Sequence, residues 1–308
     1  MDNLCHTLAG AALGEAGLKR RTALGMGTLL IASNLPDIDV AVFATDTLAM
    51  SFRRGWTHGV LAMAVLPPVL TGVMLAWDRL RSRRSNAREL LLLAYLGTWL
   101  HVFMDFLNTY GVRLLMPFSE RWFYGDALYI VDPLLYLCLG GAVAGARIAA
   151  LRGKGSPFRY ARLGLAVGAV YIVLMVGSNL WARSEVRRGL MRAGLSSETR
   201  FMVSPVFGNP VRREVILDTG ERYEKGLLWF EPWPHFRPLG YGVDKNENDP
   251  AAQAAAQSPR FRAYLTWSRF PFFASEVRRD SWRVYLNDYR YSGPSARDGW
   301  AGVVADVQ

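Results

Sequence analysis

The sequence predicts a mostly α-helical membrane protein: a bundle of about four transmembrane helices plus a short N-terminal helical hairpin, followed by a small, sheet-rich α+β extramembrane domain. Four apolar runs are each long enough to cross the roughly 30 Å hydrocarbon core of a bilayer. Hydrophobic residues make up 51% of the 308 residues, yet the mean hydropathy is only +0.09. A wholly embedded chain would score higher, so we expect a membrane-embedded domain at residues 1–182 and an extramembrane domain at residues 183–308.

The first forty residues predict the helical hairpin. Residues 4–18 and 22–36 are apolar and rich in Gly and Ala, and each run of about 15 residues is short for a full span. We therefore expect two helices that dip into the bilayer or pack inside the bundle. Two buried helices of a soluble all-α domain are the alternative, which the long uncharged runs that follow disfavour. The chain start lacks the pattern of a cleaved signal peptide, so we expect it to remain in the mature protein.

The four spans follow the hairpin. The first contains Pro67 and Pro68, which a membrane helix tolerates as a kink. The second contains His101 and Asp105, which a purely structural span would avoid because ionisable groups are costly in the bilayer. The spans are residues 59–77, 90–107, 127–149 and 163–182.

Basic residues predict the topology. Three clusters, near residues 19–21, 79–88 and 147–162, can all lie on the cytoplasmic side, as the positive-inside rule requires. We therefore expect a multi-pass protein of the bacterial inner (cytoplasmic) membrane, with the residues after 182 on the periplasmic side. Four arginines soon after residue 182 conflict with the rule, but long translocated domains escape it. Because these loops hold much of the net charge of +10, no nucleic-acid partner is expected.

The chain changes character after about residue 183, where apolar runs shorten and alternate with charge. Two such runs flank the Asp-Thr-Gly-Glu turn at 218–221 and predict a β-hairpin. We expect further strands at 262–267 and 281–291. Residues 244–258 predict a short helix or a mobile loop.

Three histidines and three carboxylates fall on the same predicted face of the bilayer. His101 and Asp105 are four residues apart on one helix, so both can ligate the same divalent cation. Asp37-x-Asp39 suits a bridging or paired-metal arrangement. The candidate metal ligands are His6, Asp37, Asp39, His58, His101 and Asp105.

Each element also has a purely structural interpretation. His101 and Asp105 could form a hydrogen-bonded pair that ties helices together, and Asp37-x-Asp39 could end a helix after Pro36. His6 could be a satisfied buried histidine, and His58 an interfacial residue. Taken together, the purely structural interpretations are less favoured. Ionisable groups are costly in a bilayer, so a group of them at one depth indicates a function.

Three further polar residues, His235, Asp126 and Asp132, lie outside these motifs. His235 lies in a Pro- and Trp-rich stretch with no carboxylate at helical spacing, so we expect a surface or packing role. Asp132 precedes Pro133, which predicts a helix start. A role as a ligand, or as support for one, is the alternative for Asp126 and Asp132.

The chain carries five motifs: residues 1–10, 34–39 and 54–58, His101-x-x-x-Asp105, and residues 108–111. Together they resemble the YdjM-like family of bacterial inner-membrane proteins. The resemblance covers about residues 1–180 and implies a metal-dependent hydrolase with these six residues as ligands. The family's proposed relation to zinc-dependent phospholipase C implies a helical site with a cluster of divalent metals. Gly59 stands where Ser often follows the histidine, which leaves the ligands intact.

We therefore expect a membrane-bound metal-dependent hydrolase of a phosphoester, such as a phospholipid or a lipid-linked phosphate. One or two divalent ions, Zn before Mn, would activate water, and Asp37 or Asp105 would serve as the base. Membrane lipids are the expected partners.

The alternative is a non-catalytic regulatory or partner-binding membrane protein whose His/Asp cluster is structural. A transporter is less favoured, because the cytoplasmic halves of the spans are apolar.

Overall fold

The computed structural model describes residues 1–45, 47–81, 84–153, 155–196, 199–293 and 302–307. The chain divides into two compact units. The helical unit consists of Met1–Ala41 and Arg53–Gly177, and the sheet unit consists of Val42–Phe52 and Ser178–Gln308. A functional division at residue 182 stays a prediction.

Long apolar helices dominate the first half of the chain and confirm the predicted fold class. Within the described residues, four helices are long and apolar enough to cross a membrane, and a bent pair of shorter helices makes up to five. The helices, numbered in chain order, are α1 (Asn3–Glu15), α2 (Gly25–Ala32), α3 (Ala49–Phe52), α4 (Val60–Leu80), α5 (Ala87–Phe106), α6 (Pro133–Arg152) and α7 (Pro157–Arg192). The bent pair is α2 with the 3₁₀ segment Leu35–Ala44, at an angle of 50°.

The N-terminal hairpin is confirmed as two short helices packed inside the helical unit. Small residues allow this packing: a Cβ atom added at Gly97 of α5 would lie 2.6 Å from the Cβ of Ala32 in α2. A Cβ atom at Gly10 of α1 would lie 2.7 Å from Ser33 Oγ. The backbones of α1, α2 and α5 therefore approach closely, which brings residues distant in sequence to one site.

The third and fourth spans begin and end differently from the sequence expectation. α6 starts at Pro133 rather than near residue 127, because Asp132 accepts hydrogen bonds from the backbone N–H groups of Leu134 and Leu135. This confirms the helix-start role of Asp132. α7 continues ten residues past Ala182, because that stretch packs in the core of the sheet unit.

The basic clusters meet at one end of the helical unit. Arg21 Nε lies 2.6 Å from Glu89 in the first turn of α5, and Arg147 Nε lies 2.7 Å from Glu15. Arg162 donates to the backbone carbonyl of Ala16. Asp105 lies sixteen residues further along α5 than Glu89, roughly 24 Å away at the rise of an α-helix. The predicted metal ligands on α5 therefore lie far from the basic end.

The sheet unit contains a four-stranded antiparallel sheet among its described residues, in the order β1-β2-β3-β4. The predicted hairpin is confirmed as β2 and β3, with Asp218 opposite Tyr223. One face of the sheet packs on α7 through Val186 and Leu190. The strands are β1 (Phe201–Val206), β2 (Asn209–Asp218), β3 (Arg222–Phe230) and β4 (Pro234–Asp244).

A second antiparallel sheet of three described strands, β5 (Pro271–Val277), β6 (Trp282–Asp288) and β7 (Val303–Val307), follows two helices. The helices are α8 (Pro250–Ala256) and α9 (Pro259–Trp267). The strand expected at 262–267 is wrong. Ser258 caps α9, and Phe261, Tyr264 and Trp267 recur every three residues on its buried face. The expected short helix within 244–258 and the strand within 281–291 are confirmed by α8 and β6.

Candidate metal centre

Four buried side chains of the helical unit converge on one point. Their ligand atoms all lie within 4.8 Å of one another, and none of the four residues is more than 3% exposed. Asp37 comes from the 3₁₀ segment, His58 from the loop before α4, and His101 and Asp105 from the last turns of α5.

The tautomer of His101 follows from its hydrogen bond to α2. His101 Nδ1 lies 2.8 Å from the backbone carbonyl oxygen of Ser33. A carbonyl only accepts, so Nδ1 carries the proton. In a neutral ring Nε2 is then a free lone pair, and this is the nitrogen that faces the convergence point.

The tautomer of His58 follows from a two-step relay. Thr57 Oγ1 lies 3.1 Å from Asp39 Oδ2, and an ionised carboxylate only accepts, so the hydroxyl donates its proton there. Thr57 Oγ1 also lies 3.0 Å from His58 Nδ1. Because the hydroxyl proton is already donated to Asp39, Oγ1 must accept the hydrogen bond from Nδ1. Nδ1 therefore carries the proton, and Nε2 of His58 is also a lone pair.

The two unprotonated nitrogens face each other at 3.2 Å. Asp105 Oδ2 lies 3.4 Å from His58 Nε2 and 3.7 Å from His101 Nε2, while Asp37 Oδ1 lies 3.9 Å from each. Without a metal ion, the two facing lone pairs would repel each other, or one buried ring would have to become an imidazolium. Two imidazoles and two carboxylates are a common ligand set of divalent metals, so these residues fit a metal ion.

Asp105 is held by cations and by a third histidine. Arg54 lies 3.0 Å from Oδ1 through Nη2 and 2.9 Å from Oδ2 through Nε. His6 Nε2 lies 3.2 Å from Oδ1, and the Met1 nitrogen contacts the same oxygen. Among the described residues, Oδ2 receives no hydrogen bond of acceptable geometry, so Arg54 Nε is poorly aligned with it. This oxygen is the one that faces both histidine nitrogens and is available to a cation.

The six predicted ligands therefore gather in one place, but two of them lie outside the converging group. The His6 ring stacks on His101 with centroids 3.7 Å apart and contacts Asp105. Asp39 accepts from Arg54 N at 2.7 Å and from Thr57. Their geometry suits a supporting role. His6 contacts Asp105, and Asp39 holds Thr57, which contacts His58. Which residues bind metal stays a prediction.

Sequence reasoning missed the arginines. Arg53 Nη2 lies 3.1 Å from Asp37 Oδ1, and Arg53 Nε lies 3.2 Å from Asp39 Oδ1. Arg54 also donates to Asn108 Oδ1 at 3.0 Å. A signal was available: Arg53 and Arg54, the second of them the first residue of the His58 motif, stand on the face that the positive-inside rule leaves poor in basic residues.

The other polar residues considered lie outside the converging group. Asp132 starts α6 and accepts from the Tyr171 hydroxyl at 2.9 Å. Asp126 is buried in the turn before α6. His235 is exposed on β4 with its ring 6.0 Å from that of Trp229, in keeping with the expected surface role.

We expect Asp39→Asn to weaken metal binding about 10- to 100-fold, the usual cost of losing a partner that orients a ligand. The amide keeps the size of Asp39 but can turn an N–H toward Thr57, which disturbs the proton relay to His58. Competition with a chromogenic chelator measures the dissociation constant. Glu120→Gln, at an exposed position, is the matched control. Equal affinity of the D39N variant and the wild type would contradict the relay.

Comparisons with known proteins agree with the membrane fold. Residues 1–184 match the family described as YdjM inner membrane protein. The uncharacterized protein YfhP of Bacillus subtilis (strain 168) is 26% identical over 153 residues, which are 47% of this chain and 46% of YfhP. The chain thus matches less than half of that relative's length. No solved structure matches the chain.

Proposed function

The chain belongs to the YdjM inner membrane protein family, and from that premise we propose that it is a membrane-bound metal-dependent hydrolase of a phosphoester. The observation that carries the proposal is the convergence of two unprotonated histidine nitrogens and two carboxylates in a buried site. The proposed metal is zinc, for which this ligand set is common. The proposed substrate is a phospholipid or a lipid-linked phosphate.

Four residues would hold the ion: Asp37, His58, His101 and Asp105. A bound divalent ion lowers the pKa of its water ligand to about 7 and polarises a phosphoryl oxygen. The chain's own groups then position and receive protons. Asp105 is engaged by Arg54, His6 and the Met1 nitrogen, whereas Asp37 is engaged by Arg53 through Oδ1, so Asp37 is the better candidate for the proton acceptor. Asp39 and Thr57 keep the proton of His58 on Nδ1.

The position of the site in the helical unit supports a substrate taken from the membrane surface. The candidate ligands lie in the last turns of α5 and at the start of α4, away from the basic loops. If those loops face the cytoplasm, as the positive-inside rule predicts, the site opens toward the periplasmic leaflet. Exposed apolar residues beside the ligands in sequence, Ile38 and Trp56, suit contact with lipid.

The test uses the full chain purified in mild detergent. We expect about one divalent ion per chain by elemental mass spectrometry, as in a single four-ligand site. Chelation should abolish hydrolysis of bis(p-nitrophenyl) phosphate and of a short-chain phospholipid, and one added ion per chain should restore it. Preparations that never bind a metal, or hydrolysis that survives its removal, would overturn the proposal.

A non-catalytic role is the second candidate, and the burial of the cluster favours it. His58 and Asp105 are 0% exposed and His101 is 1% exposed, as expected for groups that hold helices together. In that case the chain would bind metal and lose thermal stability on chelation, yet hydrolyse none of the phosphoesters. The two readouts, stability and turnover, therefore separate the candidates.

A further inference from the structure

We propose that Arg53 binds the phosphoryl group of the substrate and supplies a second positive charge beside the metal ion. The inference rests on the proposed function, because it concerns the substrate of the same site. It assigns to a residue outside the candidate ligand set the task of recognising an anionic ester.

The guanidinium of Arg53 bridges two carboxylates. Its Nη2 lies 3.1 Å from Asp37 Oδ1, and its Nε lies 3.2 Å from Asp39 Oδ1. In a two-metal site, the second ion takes such a bridging place and stabilises the reacting phosphate. Asp39 also accepts from Arg54 N and Thr57 Oγ1. A guanidinium therefore occupies the place of a second cation, and the site suits a single ion.

The charges of the site leave room for an anion. Asp37, Asp39 and Asp105 contribute three negative charges, and His58 and His101 add no charge because histidine binds a metal ion in its neutral form. One divalent ion, Arg53 and Arg54 carry four positive charges against these three, and the Met1 amino group beside Asp105 can only add to that excess. An anionic phosphoryl group would neutralise that excess, whereas a neutral ester would leave a charge uncompensated in a largely buried site.

Arg53 lies at the accessible edge of the site. Its side chain is 24% exposed, whereas that of Asp37 is 3% exposed and that of Asp105 is fully buried. Arg54 is 6% exposed and is engaged with Asp105. An incoming phosphate would therefore reach Arg53 before Arg54. The planar guanidinium can bind two phosphate oxygens at once, which an ammonium group cannot do.

The first experiment measures binding without turnover. Inorganic phosphate is titrated by calorimetry into the full chain in detergent, with and without bound metal. We expect Arg53→Gln to raise the dissociation constant of phosphate about 10-fold or more, because a charge-assisted bidentate contact is lost. Arg53→Lys should restore part of the affinity. Arg121→Gln, which removes an exposed arginine of the same unit, is the matched control and should bind like wild type.

The second experiment follows hydrolysis. For the R53Q variant we expect KM to rise for bis(p-nitrophenyl) phosphate and for a short-chain phospholipid, with bound metal unchanged at one ion per chain. An equal rise for both substrates would assign Arg53 to the phosphoryl group itself. A rise for the phospholipid alone would assign it to the lipid headgroup and overturn the inference as stated.

The outcomes keep the inference apart from the proposed function. If R53Q binds phosphate as tightly as wild type while retaining metal, Arg53 does not receive the phosphoryl group. If the wild type binds no metal, the proposed function fails, and the metal-free phosphate titration still decides the role of Arg53. Loss of metal from both R53Q and R53K would show that Arg53 only positions Asp37 and Asp39, which also overturns the inference.

Discussion

Replacement of His101 by alanine is expected to remove the bound metal. Its Nε2 faces His58 Nε2 at 3.2 Å and is one of the two nitrogen atoms that would bind the ion. The H101A variant would keep one histidine and two carboxylates, so the site would lose one of the two nitrogen donors that favour zinc. We expect metal content to fall from about one ion per chain to less than about a tenth, with phosphoester hydrolysis lost in parallel.

The control for this variant is His235→Ala. His235 is exposed on β4 and has no place in the converging group, so its removal should leave metal content and turnover unchanged. Because His101 also stacks on His6 and donates to Ser33, the H101A variant could unfold. His58→Ala disturbs fewer helix contacts and should give the same loss while the protein elutes as wild type on size exclusion. Full metal content in H58A and H101A would contradict the site.

The membrane fold could be predicted because its signals are local. The length of an apolar run and the absence of charge in it decide whether it can span, and both can be counted along the chain. α4 and α5 accordingly begin and end within about three residues of the runs that predict them, the usual uncertainty of helix ends. The Gly- and Ala-rich composition of the hairpin likewise anticipates its close packing.

One departure from the sequence expectation is a local helix signal that was misinterpreted, and the other comes from tertiary contacts. The stretch at 262–267 carries aromatic residues that favour a strand, yet they form the buried face of α9. α7 continues past residue 182 because Val186 and Leu190 find partners on the sheet. The contacts of α7 depend on residues far away in the chain, so they leave no trace in its local pattern. α9 does leave a local signal, in its Ser258 cap and in the three-residue spacing of Phe261, Tyr264 and Trp267.

The residues that gather at the candidate site could be predicted from the sequence. Which of them face the convergence point, and which only support the others, could not. Spacing places His101 and Asp105 on one face, and the topology places the others at the same depth. Neither the spacing nor the topology can show that Asp39 faces the N–H of Arg54 and the hydroxyl of Thr57, because those contacts depend on side-chain geometry. The arginines were missed for the same reason: their partners lie fourteen or more residues away.

Asp288 carries the second large effect, on the stability of the sheet unit. The carboxylate is fully buried and accepts from Arg290 Nε at 2.9 Å and from Arg290 Nη2 at 2.8 Å. Ser268 Oγ and Arg269 N donate to the same group. Burial alone would raise the pKa of Asp288, but the charge of Arg290 and these hydrogen bonds outweigh it and hold the pKa below its usual 3.8.

We expect Asp288→Ala to destabilise the sheet unit by about 3–5 kcal/mol, the cost of breaking a buried ion pair. Arg290 stays buried against the Trp267 ring, 4.7 Å away, without its carboxylate. The apparent Tm should fall on the order of 10 °C, measured by differential scanning fluorimetry of the full chain with limited proteolysis to identify the unit that opens.

The pH dependence of stability and a comparison with an exposed ion pair give two further tests of the role of Asp288. A carboxyl whose folded pKa is depressed stabilises the protein above its unfolded pKa, and this stability is lost as the pH falls through the folded value. The wild type should therefore lose stability below about pH 3.8, and D288A should lose less there. Asp306→Ala breaks the Arg283–Asp306 pair, whose Asp306 side chain is 51% exposed, and should leave Tm nearly unchanged. Similar Tm values for D288A and D306A would show that the buried network adds no net stability. That result is expected if the free energy of desolvating the two charges equals that of their attraction.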